Sequence, residues 1–208
     1  MIRKIKVLNS ASHTFFAFLV EMMLLHDRKI VSCEANLEQN FSIKVYKQYF
    51  NFASAHFLVF ADGTREPLHG HNYRVAVEGK KKMLNSDMVF DFLDLKPLVR
   101  DLCNTLDHRL ILPSENPLLK FETSQETPEI QWVTTPDGFR WNFPKNDIVI
   151  LPIPNTSVER LAQYFALELV QLIKNKFNFY FSELVLEIEE TPGQSAVFTF
   201  TDSTISEG

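Results

Sequence analysis

The spacing of apolar residues changes along the chain, and each change marks an element. From residue 41, "FSIKVYKQYFNFASAHFLVF" is dense in aromatic and β-branched residues, the composition of strands. "ADGTREP" then reads as a turn or loop. In "HGHNYRVAVEG", Tyr73, Val75 and Val77 recur with period two and share one strand face. His69 and His71 have the same parity. "DFLDLKPLVRDLCNTL" switches to helical spacing, with Leu95, Leu98, Val99, Leu102 and Leu106 in one apolar stripe. Asp94 is the expected N-cap, which places Pro97 in the first turn, where a missing N–H is tolerated.

Residues 113–150 are less regular. "EIQWVTT", "PDG" and "FRWNF" predict a hairpin with a tight turn. "ILPIPNTSVERLAQYFALELVQLI" starts a second helix, with Ser157 as N-cap and Leu161, Phe165, Leu169 and Leu172 or Ile173 facing inward. "ELVLEIEET" and "SAVFTFT" are closing strands joined by a turn containing "PGQ". The order strand, strand, helix, hairpin, helix, strand, strand points to an antiparallel α+β layer.

The 208 residues, 45% hydrophobic and 23% charged, suit a single globular domain with an appendage. A net charge of −5 argues against a nucleic-acid partner. Two cysteines, Cys33 and Cys103, are too few for a disulfide framework, so a reducing, cytoplasmic setting is expected. The run "FFAFLVEMMLL" follows basic residues, as in a signal peptide, but Glu21 interrupts it and "HDRK" replaces a small-residue cleavage site. It is too short to span a bilayer, so no membrane is expected. Residues 1–40 read as an N-terminal extension, an extra helix or an over-extended gene start, and His13 and His26 within them receive no role.

The candidate chemistry lies in "EPLHGHNY". On a strand, residues i and i+2 point to one face about 6.5 Å apart, so His69 and His71 can converge on one ion. His56, at the end of the preceding strand, would be a third ligand. Three neutral imidazoles on Zn²⁺ leave a fourth position open, as in catalytic sites. The alternative is that these histidines only pack or hydrogen-bond. Asp107 and His108 close the first helix as an acid/base pair or a helix-terminal polar pair. Glu189 and Glu190 end an apolar strand. A buried carboxylate there would need a partner with several N–H donors, and a guanidine-like heterocycle offers two in parallel.

"FNFASAHF", "LHGHNY", "VFDFLDLKPLV", "LDHRL", "NTSVERLA" and "LEIEETPG" occur in this order, and together they resemble the 6-pyruvoyl-tetrahydropterin synthase and 6-carboxytetrahydropterin synthase family over about residues 41–201. The resemblance implies the tunnelling fold (T-fold): an α+β unit with a four-stranded antiparallel sheet and two helices on one face. Here it would occupy residues 41–208, with an inserted hairpin in an enlarged segment at 113–150. It further implies a homo-oligomer, a hexamer built as a dimer of trimers, with active sites at subunit interfaces and a small-molecule pterin as substrate. Carried over position by position, the zinc ligands are His56, His69 and His71, the acid/base pair is Asp107 and His108, and Glu190 anchors the pterin. Glu159, Thr156 and Ser157 fall in a segment near the substrate.

The family's usual catalytic cysteine, a few positions before H-G-H, has no counterpart in "DGTREPLHGH". Glu66 stands there instead, in the pattern E-x-x-H-G-H. This resembles the subgroup that cleaves 7,8-dihydroneopterin triphosphate to 6-hydroxymethyl-7,8-dihydropterin for folate synthesis. The resemblance thus implies a zinc-dependent retro-aldol lyase with Glu66 as base. The alternatives are formation of 6-pyruvoyl-tetrahydropterin, formation of 6-carboxytetrahydropterin on the queuosine path, or zinc-dependent pterin binding without catalysis.

Overall fold

A computed structural model of the protein describes residues 40–201. The N-terminal extension, with His13, His26 and Cys33, lies outside the described residues apart from residue 40.

The first strand-like stretch forms two strands, β1 (Phe41–Val45) and β2 (Asn51–His56). Both pair antiparallel with the same edge of the long β3 (His69–Lys81): β2 lies against residues 69–74 and β1 against residues 77–81. The other edge of β3 pairs with β9 (Glu183–Thr191), and β9 pairs with β10 (Gln194–Thr201). These are the expected four antiparallel lanes.

The sheet then continues further than expected. After helix α1 (Phe92–Leu106), β4 (Arg109–Pro113) pairs parallel with β2, and β8 (Ile148–Leu151) pairs parallel with β4, making a mixed seven-stranded sheet. Both are short apolar runs, "RLILP" and "IVIL", without strict alternation. In β4 that pattern suits a strand covered on both faces, whereas β8, at the sheet edge, buries Ile148 and Leu151 and leaves Ile150 exposed.

One cover is helical. Helices α1 and α2 (Val158–Phe177) pack on one face of the sheet and bury the predicted stripes, including Leu95, Leu102, Leu161 and Phe165. Phe52 stacks between Tyr73 and Phe165, with ring centroids at 4.7 and 5.5 Å. The second cover comes from the segment between β4 and β8. There β5 (Lys120–Thr123), β6 (Ile130–Thr134) and β7 (Arg140–Pro144) form a separate antiparallel sheet. The predicted hairpin is β6–β7, and Phe121, Val133, Trp141 and Phe143 form a second small core with Leu110, Leu112 and Ile148.

The helix caps differ in one respect from expectation. Ser157 caps α2 as predicted. The cap of α1 is Asp91, not Asp94: Asp91 Oδ1 accepts the Leu93 N–H at 2.7 Å, and the Asp91 carbonyl already accepts from Leu95 at 3.0 Å. An acceptor three residues earlier starts the helix sooner, so Pro97 lies inside it, where it has no N–H to donate to the Leu93 carbonyl.

Candidate metal and active site

His56 ends β2 directly opposite His69, and His71 is opposite Ser54. Directly opposed residues share a sheet face, so the imidazoles project together beside the helix-covered core. Their ring centroids are 4.6 to 5.3 Å apart, and one nitrogen from each lies within 4.8 Å of the others. His56 Nδ1 lies 2.9 Å from the Thr156 carbonyl, and His69 Nδ1 lies 2.8 Å from that of Pro67. Each carbonyl selects the tautomer with hydrogen on Nδ1, which leaves Nε2 free to bind a metal. Burial pushes the His56 pKa below the ordinary imidazole value, overcoming the Thr156 bond and the Glu190 charge that act to raise it.

Glu190, on the core-facing side of β9, enters the same cluster. Its Oε1 lies 3.4 Å from His56 Nε2, 3.7 Å from His71 Nε2, and 3.2 Å from the Tyr73 hydroxyl, which donates to it. His56 Nε2 is buried and makes no hydrogen bond. Three imidazole nitrogens converging on one point, with a carboxylate beside them, fit a divalent cation of the zinc type.

Tyr73 was visible in the sequence only as an apolar strand position. Its hydroxyl pKa is raised, first by burial and then by Glu190 and Glu66, so it stays a proton donor to the Glu190 carboxylate. Asn155 also escaped sequence reasoning. Its side chain brackets Val59, accepting from the N–H at 3.2 Å and donating to the carbonyl at 2.9 Å, and so holds the start of the loop after β2. Its only signal was its place in "PNTS" before a helix.

Glu66 lies in that loop. Its N–H donates to the Leu58 carbonyl at 3.0 Å, and its Oε2 accepts the Leu58 N–H at 3.2 Å. The carboxylate is partly exposed. Thr156 is fully buried and its hydroxyl donates to the Phe57 carbonyl at 2.8 Å, while the Ser157 hydroxyl caps α2. Both hydroxyls therefore hold chain segments around His56. Glu159 is exposed in the first turn of α2.

Asp107 and His108 form the expected pair, with His108 Nδ1 3.0 Å from Asp107 Oδ2. Asp107 Oδ1 accepts the Ala53 N–H at 2.8 Å. Burial acts to raise the Asp107 pKa, but the Ala53 hydrogen bond and His108 outweigh it and hold the group below its usual value. His108 has a positive φ of 58° and a side chain 84% exposed. It lines a shallow groove with Ala53, Ser54, Ala55, Gly70, Asn72 and the candidate ligand His71. Of these, Ala53, Ala55, Gly70 and Asn72 alternate with the metal-site positions and face the other side of the sheet. The structure therefore gathers His56, His69, His71 and Glu190 into one site and leaves His108 outside it.

The family model described as 6-pyruvoyl tetrahydropterin synthase matches residues 44–200. The chain belongs to this family. It is accordingly an enzyme of pterin metabolism. A Methanocaldococcus jannaschii protein, provisionally named 6-carboxy-5,6,7,8-tetrahydropterin synthase, is 33% identical over 148 residues, covering 71% of this chain and 88% of that protein. The crystal structure of Plasmodium vivax 6-pyruvoyl tetrahydropterin synthase superposes with a TM-score of 0.71 at 32% identity, covering 78% of this chain and 99% of that one. Two further structures of the P. vivax enzyme carry alanine or cysteine in place of a catalytic glutamate. The Plasmodium falciparum synthase superposes with a TM-score of 0.70 at 31% identity and the same coverage of both chains. The two helices and curved sheet of this chain are those of the T-fold. No helix among the described residues is long and apolar enough to cross a membrane.

Proposed function

We propose that this protein is a zinc-dependent lyase that cleaves the side chain of 7,8-dihydroneopterin triphosphate to give 6-hydroxymethyl-7,8-dihydropterin, a step toward folate. The observation that carries this reading is Glu66: it stands where the loop has no cysteine, and the P. vivax relative has a glutamate as catalytic residue.

His56, His69 and His71 would hold the metal, with Glu190 beside it. Bound zinc would supply Lewis acidity toward the side-chain hydroxyls. The Glu66 carboxylate takes the proton from the C2′ hydroxyl. The C1′–C2′ bond then breaks, its electron pair moves into the conjugated C=N of the pterin, and the C2′ end leaves as an aldehyde. Glu190 accepts the parallel N–H pair of the pterin's guanidine-like edge, steadied by the Tyr73 hydroxyl. His108, on the opposite face and paired with Asp107, serves the site of a neighbouring copy in a homo-oligomer, donating or accepting protons at the carbons being separated.

A second reading, formation of 6-carboxytetrahydropterin, is favoured by the names of the archaeal relatives. One experiment separates the two. Zinc-loaded protein is incubated with 7,8-dihydroneopterin triphosphate and the pterin product is identified by mass. The 6-hydroxymethyl product supports the first reading; the 6-carboxy or 6-pyruvoyl product overturns it.

A further inference from the structure

We propose that the inserted hairpin β6–β7 braces the Glu66 loop, and that Arg65 is the positioning residue through which it acts. This rests on the reading of Glu66 as the group that takes the proton.

The loop after β2 folds back on itself as a small hairpin. Val59 pairs with Arg65, Phe60 N–H donates to the Thr64 carbonyl at 2.8 Å, and Glu66 pairs with Leu58. In such a ladder adjacent residues point to opposite sides, so Arg65 and Glu66 diverge. Asn155 grips Val59. The other grip is on Arg65. Its Nε lies 2.9 Å from Asp137 Oδ2, in the β6–β7 turn, as an ion pair outside hydrogen-bond geometry. Its guanidinium carbon lies 4.6 Å from the Trp141 ring centroid and 5.6 Å from that of Phe139. Its Nη1 donates to the Glu66 carbonyl at 3.0 Å. The Arg65 side chain is only 15% exposed, which strengthens both the charge pair and the cation–π contact.

Trp141 also packs edge-on against Phe57, the residue after His56, at 5.0 Å between centroids. One hairpin therefore touches the loop just after a metal ligand and just before the proposed base. Covering β4 and β8 accounts for the Trp141–Phe57 contact, since both residues belong to the second small core, but not for the contacts of Asp137 and Phe139 with Arg65. That task falls to Phe121, Val133, Trp141 and Phe143, whereas Asp137 and Phe139 lie outside the small core. Asp137 is in turn fixed by the Thr135 hydroxyl, which donates to its Oδ1.

The test uses the full zinc-loaded chain and three variants. Asp137→Asn removes the charge and keeps the size on a partly exposed turn, so the fold should survive. Turnover number is expected to fall about tenfold, as for a small misplacement of a reacting group. KM, zinc content and unfolding temperature should stay at wild-type values, while deuterium uptake in the 57–68 loop accelerates. Arg65→Lys, which keeps the charge and loses planar stacking, should show a smaller loss. Added to Glu66→Gln, Asp137→Asn should lower the residual rate no further, because the brace acts through that carboxylate. Wild-type turnover and loop exchange in Asp137→Asn, with Glu66→Gln inactive, would overturn the brace and leave Glu66 standing. An active Glu66→Gln would remove the reading of Glu66 and the brace with it. Loss of zinc or of unfolding temperature in parallel with turnover would assign the pair to fold stability and overturn positioning.

Discussion

The ring of His56 and the carboxylate of Glu190 approach to 3.4 Å, yet the buried Nε2 makes no hydrogen bond. A buried imidazole nitrogen without a hydrogen bond, close to a carboxylate, suits a cation at this site. A proton on His56 is disfavoured, because burial lowers that pKa. Substituting His56→Ala should therefore reduce zinc affinity about a hundredfold or more, beyond the cost of losing an outer-shell partner. Zinc quantified after dialysis checks this. Stoichiometric zinc in the variant would sink the ligand assignment.

Replacing Glu66 with glutamine keeps an oxygen to accept the Leu58 N–H, so the loop should hold its shape. What is lost is the proposed base. Turnover is expected to drop by about two to four orders of magnitude with zinc still bound. Steady-state rates and metal content measured on one preparation decide it, and near-normal activity would remove Glu66 from the chemistry.

Gly79 makes room for Phe181. A Cβ at residue 79 would sit 2.4 Å from Phe181 Cε1, and that ring is wedged against Phe90 and Phe179 at 5.7 and 5.0 Å between centroids. The change Gly79→Ala should cost about 1–3 kcal/mol by overpacking. A fall in the urea midpoint at constant slope would show it, and adding Phe181→Leu should recover part of the loss.

Cys103 is not a stand-in for the absent loop cysteine. Burial, aided by the Asp107 charge and only partly opposed by Arg100, pushes its thiol up to about 12. Below that pH the thiol stays protonated, so the nucleophilic thiolate is scarce near neutrality. The native protein should resist alkylation at Cys103 at about pH 8 and become reactive there on unfolding, and Cys103→Ala should leave product formation unaltered. Peptide mapping after iodoacetamide treatment and a product assay test the two statements.

The four antiparallel lanes and both helix stripes were legible because each has one wet face, which imprints period two or helical spacing on the sequence. The histidine triad was legible for the same reason, since equal parity on a strand means one face. Strand β4 was not, because burial on both sides erases alternation, and β8, a four-residue edge strand with Ile150 exposed, is too short to show a period. The cap at Asp91 was missed because either of two acidic residues in "DFLDLK" could serve and only hydrogen-bond geometry chooses. Glu66 stood out through the E-x-x-H-G-H pattern. Its link to Asp137 and Trp141 joins segments far apart in the chain, which local spacing cannot reveal.

His108 and His56 occupy opposite faces of one sheet, which divides the labour of the proposed site between chains. A gene copy damaged on the zinc side and another damaged at His108 would each encode half of a working site. Expressed in one cell, the two defective proteins would rebuild intact sites where their subunits meet, so two loss-of-function alleles could complement each other.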